Sequence, residues 1–230
     1  MKKIPTFVSF SILFIGVLLG LTLATLAAWA DLEANFYGFT RQSKTPFQGL
    51  SCPAMMTRGE TKAVYIKVKN TAAKPISPNV RVEISTPLLP AATLDFLELE
   101  PGESAVIAKT ISGKNIDLEN FIFVKALVYA AYPMTDQEGT CGVYILPFEG
   151  SGKVWLSMLT LLSVTLCAAG AYLLRKSALP KQRVDAFLFL ALLVFPALTF
   201  SLIGWWIQAG ITLVIAALTF VVALGGLAGS

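Results

Sequence analysis

The chain has 230 residues, of which 55% are hydrophobic and only 14% are charged, and its mean hydropathy is +0.69. This composition excludes an ordinary soluble domain and predicts that lipid is part of the protein's environment. The net charge of +4 is a topology signal rather than an indication of a nucleic-acid partner, because the basic excess lies beside the apolar segments.

Four uncharged apolar runs are each long enough to cross a bilayer, for which a helix needs about 20 residues. With their flanking residues, the four predicted transmembrane segments are 1–30, 154–174, 186–206 and 211–230. The last two are expected to form a helical hairpin, with its turn at residues 207–210, which include Gln208, Ala209 and Gly210.

The first span is predicted to be a retained signal anchor. The alternative is a cleaved secretory signal, because Ala28-Trp29-Ala30 has the small-x-small form that a signal peptidase accepts. The apolar core of this span is about twice as long as that of a usual signal peptide, which favours retention.

Basic residues predict the orientation of the spans, because Lys and Arg near span ends remain on the cytoplasmic side. Lys2 and Lys3 precede the first span, and the loop 175–185 holds four more basic residues. The segments assigned to the inside thus carry six basic residues and one acidic residue, whereas residues 31–153 carry twelve and thirteen. We therefore expect a multi-pass plasma-membrane protein with both termini in the cytoplasm and residues 31–153 outside.

Tryptophan gives an independent indication of the same orientation, because its ring favours the membrane interface. All four tryptophans lie at span ends that the basic residues place outside, and they are predicted interface anchors: Trp29, Trp155, Trp205 and Trp206. None lies at an inner end, so the two signals agree.

Residues 31–153 alternate apolar and polar side chains and are punctuated by Pro and Gly, which is typical of half-buried antiparallel strands. The clearest run places Val64, Ile66 and Val68 on one face. Other strands are expected near residues 80–85, 94–99, 105–111, 121–131 and 142–146. Six or seven short strands without an amphipathic helix predict an antiparallel β-sandwich between the first and second transmembrane helices.

Two parts of this domain allow alternative interpretations. The strand at 121–131 is apolar on both faces, so either loops of this chain cover its second face or Phe123, Leu127 and Tyr129 face a partner protein. Residues 31–50, with four aromatic residues among polar ones, either lie along the lipid surface or form an edge strand and linker.

Several turn motifs carry a resemblance to a known class of domain. These are Arg58-Gly59-Glu60, Val68-Lys69-Asn70-Thr71, Val80-Arg81-Val82 and Leu99-Glu100-Pro101-Gly102-Glu103-Ser104. Residues 50–146 therefore resemble bacterial immunoglobulin-like domains of the CARDB and fibronectin-III-like kind. The resemblance implies a sandwich fold and says almost nothing about activity, because such folds host many functions.

Cys52 and Cys141 lie near the two ends of the predicted sandwich, whereas Cys167 lies in the second span. Two cysteines in an extracytoplasmic domain most simply form a disulfide. We therefore expect a bridge between Cys52 and Cys141.

The sequence contains no histidine, which argues against histidine-ligated haem, chlorophyll, copper or catalytic zinc. No nucleophile motif and no phosphate-binding loop occurs, and the predicted spans hold no ionisable residue that would indicate a transport path. We expect no catalytic residue, no metal site and no cofactor, and we do not expect an enzyme.

Small residues in the first two spans are predicted to let helices approach closely. They are Gly16, Gly20, Ala168, Gly170 and Ala171. They serve either packing within this chain or contact with another subunit.

The leading functional hypothesis is a non-catalytic accessory subunit of a larger membrane complex, for which a photosynthetic or respiratory assembly is one host. Its partners would be other integral membrane subunits and the lipid bilayer. The alternative is a free-standing cell-envelope binding or adhesion protein that displays an immunoglobulin-like domain. A third hypothesis, an enzyme or transporter whose site forms only with partner subunits, has no residue that points to it.

Overall fold

The computed structural model describes residues 6–40, 42–177 and 181–228. The elements follow in the order α1 (Thr6–Phe36), β1 (Leu50–Ser51), β2 (Met55–Thr57), β3 (Thr61–Lys69), β4 (Asn79–Ile84), β5 (Ala91–Phe96), β6 (Ser104–Ser112), β7 (Phe121–Tyr129), β8 (Gln137–Leu146), α2 (Gly152–Arg175), α3 (Lys181–Leu202) and α4 (Trp206–Ala228). Four long apolar helices and antiparallel sheets are therefore present, and in the described part of the chain all strands lie between α1 and α2. The predicted basic residues Lys2 and Lys3 and residues 178–180 of the predicted basic loop lie outside the described residues.

The chain divides into two compact units. Trp29–Gly152 forms a β domain, and the described residues up to Ala28 combine with those from Lys153 onward in a helical unit. The boundary falls within α1, so the last turns of that helix belong to the β domain.

The β domain consists of two sheets, with strand orders β1-β3-β6 and β2-β8-β7-β4-β5. Alternation places one face of each sheet in a shared core that includes Ile66 and Ile111 of the smaller sheet and Val82 and Val124 of the larger. The predicted inward set of β3, Val64, Ile66 and Val68, is almost completely buried and is confirmed.

One strand pair departs from the predicted antiparallel arrangement. β2 pairs with β8 in parallel, whereas the other pairs of named strands are antiparallel. The cause is that the chain crosses from one sheet to the other between β1 and β2, so that a short segment keeps its direction but changes its partner.

The turn motifs behind the resemblance have a physical explanation at the end of β3. The side-chain amide of the buried Asn70 donates to the carbonyl oxygens of Lys74 and Leu99, at 2.9 and 3.0 Å. Gly102 adopts φ +81°, which a residue without a Cβ tolerates, and its N–H donates to the carbonyl of Asn70 at 3.0 Å. The side chain of Asn70 thus provides hydrogen-bond donors for backbone carbonyls in two different turns.

Cys52 and Cys141 are joined by a disulfide, as expected, and their Cα atoms are 6.3 Å apart. Cys52 lies where the chain crosses between the sheets, and Cys141 lies in β8. The bridge therefore fixes the crossing segment to the larger sheet.

The four helices are long and apolar enough to cross a membrane, over Thr6–Phe36, Gly152–Arg175, Val184–Leu202 and Trp206–Ala223. α1 contacts α3 through Phe10 and Phe187, whose ring centroids are 5.0 Å apart, and α4 through Phe14 and Phe220, at 5.8 Å. These contacts place α1 among the other helices of the unit.

The predicted turn at 207–210 is wrong. Gln208, Ala209 and Gly210 are helical residues of α4, and the chain turns at residues 203–205 instead. Gly204, at φ +77°, ends α3, and the N–H of Trp205 donates to the carbonyl of Phe200 at 2.9 Å in the pattern of a Schellman cap. The left-handed glycine, rather than the polar glutamine, decides where the hairpin reverses.

Removal of the disulfide should strongly destabilise the β domain. The bridged cysteines are 89 residues apart, and the chain-entropy model gives about 4 to 5 kcal/mol for a loop of that order. We expect Cys52→Ser combined with Cys141→Ser to lower the thermal unfolding midpoint of the full chain in detergent.

Cys167→Ser is the matched control, because Cys167 is a free, buried thiol of α2. Mass analysis after alkylation, with and without reduction, identifies the bridged pair. Two freely alkylated cysteines at positions 52 and 141 would contradict the disulfide.

Candidate interaction surfaces

β7 is the central strand of the larger sheet and is buried on both faces. Val124 and Ala126 point into the shared core, and Phe123, Lys125 and Leu127 lie on the opposite face, all at 3% exposure or less. A central strand buried in this way needs a second layer of covering chain.

The end of α1 supplies part of that layer. The N–H of Gly142 in β8 donates to the carboxylate of Asp31 at 2.9 Å. A Cβ at position 142 would overlap the carbonyl of Ala30, so only glycine allows the helix backbone to approach the sheet this closely. Residues 31–36 are thus helical and held against the sheet.

An aromatic cluster continues the covering beyond α1. Tyr37 packs against Phe39 and Phe123, with ring centroids 4.7 and 4.5 Å away, and Ala34 joins the same buried group. The Tyr37 hydroxyl donates to the carboxylate of Asp117. Burial, together with the hydrogen bond to Asp117 and its charge, raises the pKa of Tyr37.

This covering decides between the two interpretations of the second face of β7. The interpretation of Phe123 and Leu127 as partner-facing residues is corrected, because this chain buries them to 0% and 3% exposure, and Tyr129 is half-buried. Of the described residues in the range 31–50, residues 31–36 continue α1 and only Leu50 belongs to the edge strand β1. The interpretation that this segment lies along the lipid surface stays a prediction.

Lys125 is a buried charge that the sequence interpretation missed. Its ammonium group lies 3.8 Å from a carboxylate oxygen of Glu83 and 3.6 Å from one of Glu138, and it donates to the carbonyl of Thr40. Glu138 also accepts the N–H groups of Gln42 and Ser43, at 2.7 and 3.2 Å. We call the described residues 31–40 and 42–47 the covering segment. The lysine and its carboxylates hold this segment on β4, β7 and β8. A single lysine within the otherwise apolar run 121–131 was the available signal.

Glu60 forms a second polar junction, at the start of α2. Its carboxylate accepts the N–H groups of Gly152, at 2.8 Å, and Thr57, at 2.9 Å, and pairs with Lys62 at 3.0 Å. Burial alone would raise the pKa of Glu60, but these donors and Ser151 outweigh it and lower the pKa from 4.5 to about 2. Glu60 is thus held ionised where the chain leaves the β domain.

The small residues predicted to pack helices differ in burial within the helical unit. Gly16, Gly20 and Gly170 are buried, and a Cβ on Gly16 would fall 2.7 Å from the backbone nitrogen of Cys167. The Ser163 hydroxyl donates to the carbonyl of Gly16 at 2.7 Å, so α1 and α2 meet backbone to backbone at this point.

Ala168 is exposed and Ala171 is half-buried, so they form less of this contact. Of the predicted interface anchors, Trp29 and Trp205 are about half exposed, and Trp155 and Trp206 are half-buried. Trp205 and Trp206 flank the start of α4, Trp155 lies in the first turn of α2, and Trp29 lies inside the longer α1.

Exposed apolar side chains occur at several places on the β domain, including Tyr65 of β3, Val106 of β6 and Tyr132 of the β7–β8 loop. Edge strand β5 exposes Leu94 at 47% and Phe96 at 73%. The loops around Leu88, Leu89 and Leu118 expose these side chains at 93%, 78% and 56%. Among the described residues, no group of three His, Cys, Asp or Glu side chains is placed to hold a metal ion.

Comparison with known proteins gives only structural likenesses. No family model matches the chain, and no curated protein matches it. A CARDB domain of a Pyrococcus furiosus protein, solved in complex with di-metal ions, is similar over 47% of this chain and 98% of that domain, at 16% identity and a TM-score of 0.34. Part of the chain thus resembles a CARDB domain.

Parts of larger enzymes give similar matches. A Paenibacillus cycloisomaltooligosaccharide glucanotransferase matches over 45% of this chain and 14% of its own length, at 13% identity and a TM-score of 0.34. A Bacteroides uniformis β-glucuronidase matches over 41% and 12%, at 15% identity and a TM-score of 0.31. Such partial matches carry no argument about activity.

Replacement of Lys125 should destabilise the β domain strongly. Lys125→Met leaves Glu138 buried without its cation and leaves Glu83 with Arg81 alone, 2.7 Å away, and breaking a buried pair in this way costs about 3 to 5 kcal/mol. We expect a lower unfolding midpoint and faster amide hydrogen exchange at Gln42 and Ser43.

Lys67→Met is the matched control, because Lys67 is exposed on β3 and its replacement should change stability by about 0.5 kcal/mol or less. Equal stability of the two variants would show that the buried ammonium does not hold the covering segment.

The stability of the β domain should depend on pH through Glu60. Its pKa is about 2 in the folded chain and 4.5 in the reference state, so its stabilising contribution is complete above pH 4.5 and is lost as the pH falls towards 2. Glu60→Gln should flatten the decrease of the thermal midpoint between pH 4.5 and 2.

The exposed carboxylate of Glu98 provides the control variant, Glu98→Gln. A Glu60→Gln profile that still parallels the wild-type profile over this range would contradict the role assigned to Glu60.

Proposed function

We propose that the chain is a non-catalytic accessory subunit of a larger membrane protein complex. Its helices would pack on other integral membrane subunits, and its β domain would brace their outer face. The observation that carries this proposal is the covering segment, which hydrogen bonds at Asp31, Tyr37, Thr40 and Phe47 fix to the rest of the β domain. A domain that is only displayed on an anchor does not need such a connection.

The use of the charged groups supports a structural role. Lys125 is neutralised by two carboxylates and holds Thr40, Glu60 holds the start of α2, and Asp31 holds β8. Catalytic acids and bases must instead meet a substrate in a cleft. These groups contact the chain's own backbone, so we assign them to the stability of its connections.

The helical unit offers apolar surface for neighbouring subunits. Phe195 and Leu192 of α3 and Val222 of α4 are each about two thirds exposed or more. Lipid alone can cover such side chains, but aromatic and branched residues also pack against other helices. Since Gly16 and Gly170 are already used between α1 and α2, contacts with partners are expected on α3 and α4.

The orientation of the proposed subunit follows from the distribution of basic residues and tryptophans. The segments assigned to the cytoplasm hold more basic than acidic residues, which supports a β domain on the outer side of the plasma membrane. A photosynthetic or respiratory assembly is one host that recruits small structural subunits of this kind.

A free-standing envelope binding protein is the second candidate. The exposed edge strand β5, with Leu94 and Phe96, favours it, because an unpaired edge can accept a strand from a partner. Simple display needs only one span, whereas four candidate spans are present, which favours the accessory subunit.

Purification from native membranes distinguishes the two candidates. A photo-crosslinking residue in place of Phe195 on α3 should give adducts with integral membrane proteins that also co-purify in fixed stoichiometry in mild detergent. The same residue in place of Tyr132, which is 89% exposed in the β7–β8 loop, is the control.

A monodisperse species of 24.7 kDa without adducts from position 195 would contradict the proposed subunit. Binding of cell-wall glycans by that monomer would support the second candidate.

A further inference from the structure

Several loops lie together at one end of the β domain, the end from which the chain continues into α2. We call it the exit end and define it as residues 57–60, 85–90, 113–120 and 147–151. The Arg58 guanidinium donates to the carbonyl of Glu119, the Ser85 hydroxyl donates to the carbonyl of Asn115 at 2.7 Å, and the Thr57 hydroxyl donates to the carbonyl of Gly150 at 2.6 Å. These hydrogen bonds join all four segments at the same end.

The exit end carries exposed apolar side chains. Leu88 is 93% exposed, Leu89 78%, Leu118 56% and Phe148 41%. Phe36, at the end of α1, is 77% exposed. The next residue, Tyr37, donates a hydrogen bond to Asp117 of the exit end. Adjacent leucines at this exposure are unfavourable in water and typically indicate a contact surface.

The loop that carries Leu88 and Leu89 is ordered by its own hydrogen bonds. Pro87 and Pro90 flank the two leucines and restrict the backbone. The N–H of Leu89 donates to the Thr86 hydroxyl at 3.3 Å, and that hydroxyl donates to the carbonyl of Leu89. The leucines are therefore presented outward by a closed turn.

The covalent connections indicate what covers this surface. α1 passes into its apolar segment without a loop, and only residues 147–151 separate β8 from α2, a length that spans at most about 18 Å. If α1 and α2 cross the bilayer, the exit end cannot lie far from the lipid headgroups.

We infer that Leu88, Leu89 and Leu118 insert into the interfacial region of the lipid bilayer, so that the exit end forms a membrane-contacting surface of the β domain. This inference rests on the membrane placement within the proposed function and specifies its lipid contact. Apolar side chains at the headgroup boundary gain from burial in the same way as those of interfacial helices. The lipid contact does not require another subunit.

Spin-label accessibility of the full chain in nanodiscs tests the inference. Leu89→Cys, in a Cys167→Ala background and with the disulfide verified by mass, is labelled and reconstituted alone in phosphatidylcholine and phosphatidylglycerol. We expect the ratio of collision rates with oxygen and with a water-soluble nickel chelate to be several-fold higher than for label at Tyr132→Cys. Leu118→Cys provides a second label at the exit end.

Two outcomes would overturn the inference. Equal ratios at positions 89 and 132 would show that the leucines stay in water, and an immobilised label that neither reagent reaches would show a contact with protein. The sample contains no other subunit, so this measurement can fail while co-purification succeeds, or succeed while co-purification fails. The two proposals are therefore tested separately.

Discussion

The burial of Lys125 in the centre of the larger sheet is the constraint on which the rest of the β domain depends. A lysine residue at 1% exposure is tolerated only when its charge has compensating partners, which here are Glu83, Glu138 and the carbonyl of Thr40. Two partners lie on neighbouring strands, and the third lies on the covering segment. The sheet therefore buries its charge only when the chain following α1 lies across it.

This dependence relates the course of the chain to the architecture of the sheet. Asp31 joins the end of α1 to Gly142 in β8, and the disulfide joins the sheet-crossing segment to Cys141 in the same strand. Adjacent residues of β8 thus receive the incoming helix on one face and the covalent bridge on the other, since neighbouring side chains of a strand point to opposite faces. β8 is the strand through which both connections act.

The sequence was sufficient for features that depend on composition and period. The apolar runs predicted four long helices, and the alternation at Val64, Ile66 and Val68 predicted their burial. It was insufficient where a tertiary contact or one backbone angle decides. Gly204 ends α3 through a positive φ inside an apolar run that hydropathy cannot divide. Phe123 and Leu127 looked available to a partner because the segment that covers them is distant in sequence.

The same reasoning explains why the remaining exposed surface is informative. Where the chain could cover an apolar face, it did so with its own residues, at Phe123 and Leu127. Leu88 and Leu89, in contrast, stay exposed on a turn that Thr86 closes by hydrogen bonds and that Pro87 and Pro90 flank. The two leucines are exposed on a hydrogen-bonded turn near the residues that lead into α2. Their exposure is explained if the bilayer covers them.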